Sequence, residues 1–354
     1  MKAKKILKLL LLLVFFSCQK NKDQETSSWT QITPKLFFQE RGEKFYIKSG
    51  GHEYSFLKEK LPFKKVVVLT TSQLGYISAL GEEERISGIA GAQYVYSEKI
   101  RNLIQKNKIQ TVGTDQKYNL EKILALKADA VLTNYMPNLA DTYEIFRKNG
   151  IDVIFLDEYL EEKPLEKTAY IKLFGKLFGV EKKAEKIYQE IETNYLTLKN
   201  QAAKAGNSPA VLSGEMFGNH WFLAGGKTFA AQYFKDAGAD YILKNNQDEK
   251  SVSMSFEEIF SKSQSVQYWV NLSNYATKKE LLNKNPAYGK LRVFREGKIF
   301  AMNNRQKGDA NDYFESGAVR TDLVLRDYIK IFHPEFFPPE FFPNDTLVYM
   351  KELK

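Results

Sequence analysis

Between Val180 and Ala205 the chain runs without a glycine or proline. Its apolar residues fall three and four apart, at Val180, Ala184, Ile187, Tyr188, Ile191, Tyr195, Leu198, Ala202 and Ala205. That spacing is one stripe of a long amphipathic helix. Lys and Glu fill the other side, often at separations that suit helical pairing, and Gly206 with Pro209 just beyond stops it. About 26 residues at ~1.5 Å each predict a rod roughly 40 Å long. The blocks on either side, 61–160 and 207–354, read as similar α/β units. The whole stretch 161–206 then reads as a helical linker between two lobes, leaving a cleft whose width changes little.

The first lobe opens with "VVVL" at Val66 to Leu69, a continuous apolar run suited to a strand covered on both faces. A helix ending at Gly81 follows, then strands in "ISGIAG" and "TVG", then helix–strand pairs in "NLEKILALKADAVLTN" and "DTYEIFRKNGIDVIFLD". Strands alternating with helices at this spacing predict a mostly parallel sheet with helices on both faces. From "AVLSGEM" the second lobe repeats the plan, down to a helix closed by Pro334 and a Phe/Pro-rich tail expected to be extended. Residues 34–60 alternate in short pieces around Gly42 and Gly50-Gly51, predicting one or two hairpins added to the first lobe.

The N-terminus carries a basic start, an apolar run from Leu9 to Phe16, and Ser17-Cys18. That run is far short of the ~20 residues needed to span a bilayer and has the form of a secretory signal over residues 1–17. Cys18 is the single cysteine, which rules out an intramolecular disulfide. Following a small residue, it resembles a bacterial lipoprotein cleavage and lipidation site. Residues 18–33 are polar and aperiodic, and read as a tether. The net charge of +9 includes Lys2, Lys4, Lys5 and Lys8; subtracting those four leaves about +5. No Lys/Arg cluster interleaved with aromatics occurs, so the basicity is a solvated surface and no nucleic-acid partner is expected.

Leu120-Glu121-Lys122-Ile123-Leu124 and Phe256-Glu257-Glu258-Ile259-Phe260 match position by position, each after a capping residue, Asn119 or Ser255. Glu121 and Glu257 thus sit in the first turns of equivalent helices. Either they complement the helix dipole, worth ~0.3–1 kcal/mol, or they present one carboxylate per lobe to a two-fold partner. Gly225-Gly226-Lys227-Thr228 is not a phosphate loop, because Trp221 stands where its first glycine is required. His52, His220 and His333 have no metal-ligand spacing, and no nucleophile elbow is present. No metal site, cofactor or catalytic residue is therefore expected, and the chain is not read as an enzyme.

Open α/β sheets bind ligands beyond the carboxyl ends of their strands. The loops there supply Tyr94, Tyr96, Tyr118, Tyr135, His220, Trp221, Arg305, Lys307 and Tyr313. Rings for stacking, with Arg and Lys for charge pairing, suit a large, flat, partly anionic chelate. The expected ligand-binding set is Tyr94, Tyr96, Tyr118, Tyr135, Trp221, Arg305 and Tyr313.

The lipoprotein leader, "VVVLTTSQLGYISALGEEERISGIAG", "VGTDQKYNLEKILALKADAVLTN", the 161–206 stretch and "SFEEIFSKSQSVQYWVNLSN" together resemble the helical-backbone (class III) substrate-binding proteins of bacterial ABC importers. Those proteins take up iron–siderophore complexes, haem and vitamin B12. The resemblance covers most of residues 61–333. It implies two Rossmann-like α/β/α lobes joined by a long backbone α-helix, with the ligand cleft between them. It also implies a monomer that captures an iron(III) chelate, or alternatively a cobalamin or other corrinoid, and docks onto a permease dimer of the inner membrane. In that family the acid of the first-turn block and its counterpart meet permease arginines, which carries over to Glu121 and Glu257, with Glu258 as the neighbour one register away. The location implied is the cell envelope, with Cys18 anchoring a periplasmic lipoprotein. The run "QKNKDQE" loosely resembles a surface-export signal, which would face the protein outward. A metal-dependent enzyme on a related two-lobed fold is the alternative from another class; it would need a convergent ligand set or a nucleophile.

Overall fold

The fold was obtained as a computed structural model that describes residues 28–114, 117–337 and 346–354. Cys18 and residues 338–345 of the Phe/Pro tail lie outside the described residues. The described residues begin with four antiparallel strands in sequential order, β1 (Thr30–Thr33), β2 (Leu36–Arg41), β3 (Lys44–Ser49) and β4 (His52–Leu57). This meander is larger than the expected hairpins and starts inside the stretch read as a tether. Thr30 and Gln31 pair with Phe38 and Phe37 of β2, a tertiary partnership that a polar four-residue segment does not advertise.

The N-lobe follows: β5 (Val66–Val68), α1 (Thr71–Leu80), β6 (Ile86–Ile89), α2 (Glu98–Gln105), β7 (Gln110–Thr111), α3 (Leu120–Ala125), β8 (Ala130–Thr133), α4 (Ala140–Lys148) and β9 (Asp152–Phe155). Its sheet is fully parallel, in the order β7-β6-β5-β8-β9. Val66 and Val68 join one buried cluster with α1, while Val67 and Leu69 join another with Tyr143 and Phe146 of α4. Both faces are covered, as the unbroken apolar run of β5 requires.

Two helices, not one, then cross between lobes: α5 (Pro164–Phe178) and α6 (Glu181–Ala202). Gly179 turns the chain at φ 69°, a left-handed value that favours glycine. The helices run back along each other, with Lys172 reaching Glu185 and the Tyr188 ring. α6 is unbroken but ends about three residues before the expected stop. Near its start Lys183 donates to the Leu80 carbonyl of the N-lobe. Toward its end Tyr195 and Lys199 both engage Asp236 of the C-lobe. It is the strut that the spacing predicts, braced by a second helix.

The C-lobe holds β10 (Ala210–Ser213), β11 (Glu215–Phe217), β12 (His220–Ala224), α7 (Phe229–Asp236), β13 (Asp240–Tyr241), β14 (Ser251–Met254), α8 (Phe256–Lys262), β15 (Tyr268–Leu272), α9 (Lys278–Lys284), α10 (Arg292–Glu296), β16 (Lys298–Ala301), β17 (Gln306–Lys307), β18 (Ala310–Asn311), α11 (Thr321–Phe332) and β19 (Lys351–Glu352). Its main sheet runs β13-β10-β15-β16-β19, parallel except for β19. β11, β12 and β14 form a separate antiparallel sheet. The two lobes thus have separate five-stranded sheets, each with its own core, in the expected two-lobed α/β architecture.

Candidate functional site

Each sheet order reverses direction once. In the N-lobe the chain winds outward from β5 through β6 to β7, then returns to β8. In the C-lobe it winds from β10 to β13, then returns to β15. Crevices form at such reversals, beyond the carboxyl ends of the strands. At the C-lobe reversal a cavity of ≈ 630 Å³ opens, with Met216, Phe217, Phe222 and Tyr275 as walls and Glu215 and Lys284 as its charged groups. Glu215 is held in place from the exit of β15: it accepts from the Ser273 amide at 2.8 Å and the Tyr275 hydroxyl at 2.6 Å. Gly214, at φ 76°, lets β12 fold back over β10, since a Cβ there would lie 2.0 Å from the Phe222 carbonyl oxygen.

The β11–β12 hairpin decides which aromatics reach this cavity. Along β12, exposure alternates as in any strand with one covered face. Trp221 points inward and is 0% exposed, packed on Trp269 and Tyr288, with its indole N–H donating to the Ser213 carbonyl. It is a core residue and offers no face to a ligand, which corrects the expectation for it. Its neighbours do the opposite: Phe217 is 82% exposed and Phe222 44%. The alternation in "HWFLA" carried this signal, but a reading of the segment as a loop hides it.

In the N-lobe, Tyr135 lies half-buried after β8, its ring 3.9 Å from that of His52 on β4 and edge-on to Phe155. Its amide donates to Asp157, whose carboxyl is pushed up to about 6 by burial against the pull of that bond. Glu158 beside it is also raised by burial. Lys167 of α5 sits 3.6 Å over the Phe229 ring of the C-lobe and is lowered by burial to about 8, although Glu158 draws it upward. Tyr118 packs against the N-lobe core beside Leu120 and Leu124, away from the C-lobe cavity.

After β6 the chain presents an exposed Tyr94 and a half-buried Tyr96. Tyr96 does not stand open. Arg305 and Lys307 of the C-lobe lie over its ring at 5.4 and 5.1 Å. Arg305 is paired with Asp312 at 3.0 Å and Lys307 with Glu98 at 2.5 Å. Glu315 completes this strap: its carboxylate accepts from the Tyr96 and Ser97 amides at 2.6 and 3.0 Å, and burial pushes it up to about 7. Tyr313 is half-buried, its phenol beside Tyr328 and pushed up to about 12 by burial, its ring against Tyr349. The adjacent exposed ring is Phe314. The structure therefore brings Tyr96 and Arg305 together, leaves Tyr94 open, half-buries Tyr313 and removes Trp221 from the binding set.

Glu121 and Glu257 occupy the same position, second in α3 and α8. Asn119 caps α3 by accepting from the Lys122 amide at 2.9 Å, and Ser255 caps α8 by accepting from the Glu258 amide at 3.2 Å. Glu258 reaches back to the Ser255 amide in a capping box. Its carboxylate is engaged, whereas Glu121 and Glu257 are exposed. Among the described residues no group of three or more His, Cys, Asp or Glu could hold a metal ion, and no helix is long and apolar enough to cross a membrane.

A family model described as periplasmic binding protein matches residues 66–306. An uncharacterised lipoprotein of Methanocaldococcus jannaschii is 24% identical over 320 residues, 85% of this chain and 75% of that one. An uncharacterised ABC transporter substrate-binding lipoprotein of Bacillus subtilis is 26% identical over 141 residues, 39% of this chain and 42% of that one. Among solved structures, a periplasmic heme binding protein from Pseudomonas aeruginosa superposes with a TM-score of 0.60 at 17% identity, covering 82% of this chain and 98% of that one.

Proposed function

The chain belongs to the periplasmic binding protein family, and from that premise we propose that it is a lipid-anchored, monomeric substrate-binding protein of an ABC importer. It captures an iron(III) chelate, a siderophore complex or haem, between its lobes and delivers it to the inner-membrane permease. Substrate-binding lipoproteins and a haem-binding neighbour among its relatives support this reading. The observation that carries it is the fold reversal present in each lobe's sheet, the C-lobe one opening into the aromatic-walled cavity. Cys18 is the proposed anchor, placing the protein outside the cytoplasm; display on the outer surface would separate it from an inner-membrane permease. It does no covalent chemistry and uses no cofactor. A corrinoid is the second reading, favoured by the weakly charged walls of the cavity.

Docking is assigned to Glu121 and Glu257, equivalent, exposed and uncommitted to their own helix caps. Changing both to Ala is expected to leave ligand affinity within about twofold and to abolish uptake by cells, since a few such charge pairs make an interface specific. Uptake at the normal rate would remove them from the docking surface, and a large loss of affinity would move them into the pocket.

A further inference from the structure

The N-lobe sheet is fully parallel, so the residues leading into its five strands share one edge. Lys64 and Lys65 lead into β5, Lys106 and Lys108 into β7, Lys127 into β8 and Lys148 into β9, all of them exposed. The acids of that edge are engaged: Glu82 with Arg85, Glu83 with Lys99, Glu84 with Lys108 and Asp152 with Lys60. Asp129 accepts from the Lys64 and Lys65 amides, and Glu59 on the flank has Lys58 beside it. Among the described residues Lys64, Lys65, Lys106, Lys127 and Lys148 have no ion-pair partner. Lysines at 106, 127 and 148 suit the helix C-termini where they stand. Lys64 and Lys65 precede a strand and have no such reason to be there.

The chain enters the fold at the same edge. Thr30 pairs with Phe38, and carrying that register back two residues sets Ser28 opposite Glu40. Glu40 pairs with Lys176 at 2.8 Å on the wall of a cavity of ≈ 530 Å³ shared with Lys58, Leu61 and Pro62, which lead on to Lys64. Cys18 lies ten residues before Ser28, a reach of at most ~36 Å. Glu121 is at the opposite edge, because α3 begins after β7 has ended.

We propose that this lysine edge of the N-lobe rests on the anionic phospholipid headgroups of the bilayer in which Cys18 is anchored. A lipid chain and a basic patch together hold a protein to a membrane better than either alone. Seated this way, the cleft opens away from the bilayer, so the seat is a loading position, and docking onto a permease in the same bilayer requires leaving it. The proposal rests on the lipid-anchor reading, and its test separates the two. The lipid-modified protein is reconstituted into vesicles of phosphatidylcholine with or without 40 mol% phosphatidylglycerol. A fluorophore is placed on Asn149→Cys, at the lysine edge, or on Asn138→Cys, beyond the carboxyl end of β8; both positions are exposed. With a quencher carried on the lipid headgroups, quenching at 149 is expected to exceed that at 138 at least threefold in the anionic vesicles. The ratio is expected to fall towards one in phosphatidylcholine alone, in 0.5 M salt, and when Lys64, Lys65, Lys106, Lys127 and Lys148 are all changed to Gln. The same change at five exposed C-lobe lysines should leave it standing. Equal quenching at the two positions, or a ratio untouched by the five N-lobe substitutions, overturns the lipid seat, leaves those lysines to an acidic protein surface, and keeps the anchor. A protein that does not partition into vesicles of either composition overturns both.

Discussion

Glu315 joins the two lobes across 219 positions of sequence, its oxygens on the amides that open α2. Burial raises its carboxyl from 4.5 to about 7, with Asp312 adding to the rise and the two amide bonds opposing it. The docked state therefore holds the proton more tightly than the unfolded state between those values. The stability this gives is fully present below about 4.5 and is lost as pH climbs through about 7. The difference is worth on the order of 3 kcal/mol. Asp157 and Asp327 are raised in the same direction, so the whole protein is expected to lose stability across that window. Urea midpoints of wild type and Glu315→Gln, measured from pH 5 to 8, isolate the strap: the variant curve should be flatter, and parallel curves would show that Glu315 adds nothing. None of this was legible in the sequence, because Glu315 meets Tyr96 only through the fold. The aromatics were half legible. Tyr94 is exposed and Tyr96 lies under Arg305 and Lys307, whereas Trp221 is inward because β12 alternates, and Tyr313 packs on Tyr349 at the edge of the core.

At the level of elements, the long helix and the two sheets were readable because their signals are local. α6 has its stripe and β5 its run of valines. The meander was less so, since β1 exists only by pairing with β2. What was missed in the linker is the partnership of α5 with α6, and one glycine explains it. A Cβ on Gly175 would lie 2.5 Å from that of Ala184, so the helices approach as closely as they do only without it. Gly175→Ala sets two effects against each other: helix propensity gains up to ~1 kcal/mol, and overpacking costs ~1–3 kcal/mol. The contact is too short to relax cheaply, and a net loss of about 1–2 kcal/mol is expected on chemical denaturation. A gain would mean that α5 and α6 can slide apart without penalty.

For the whole molecule, the chain enters the C-lobe's sheet from the end of α6, and each five-stranded sheet is contiguous in sequence. The exit from α6, residues 203–208, is mostly exposed and ends at Pro209. Exposed polar loops of this kind are where proteases cut. Yet the lobes also meet through the strap at Glu315, through Thr168 of α5 donating to Val319, and through α6 against α11. Limited proteolysis at 203–208 is therefore expected to give two fragments that still co-elute on size exclusion and still bind ligand; separation on nicking would mean that the peptide bond alone holds the halves together. A protein whose halves are each uninterrupted, and which clasp without their tether, can be split between two polypeptides and reassembled on contact. The position after α6 thus offers a seam for attaching reporters that light up when the two pieces find each other.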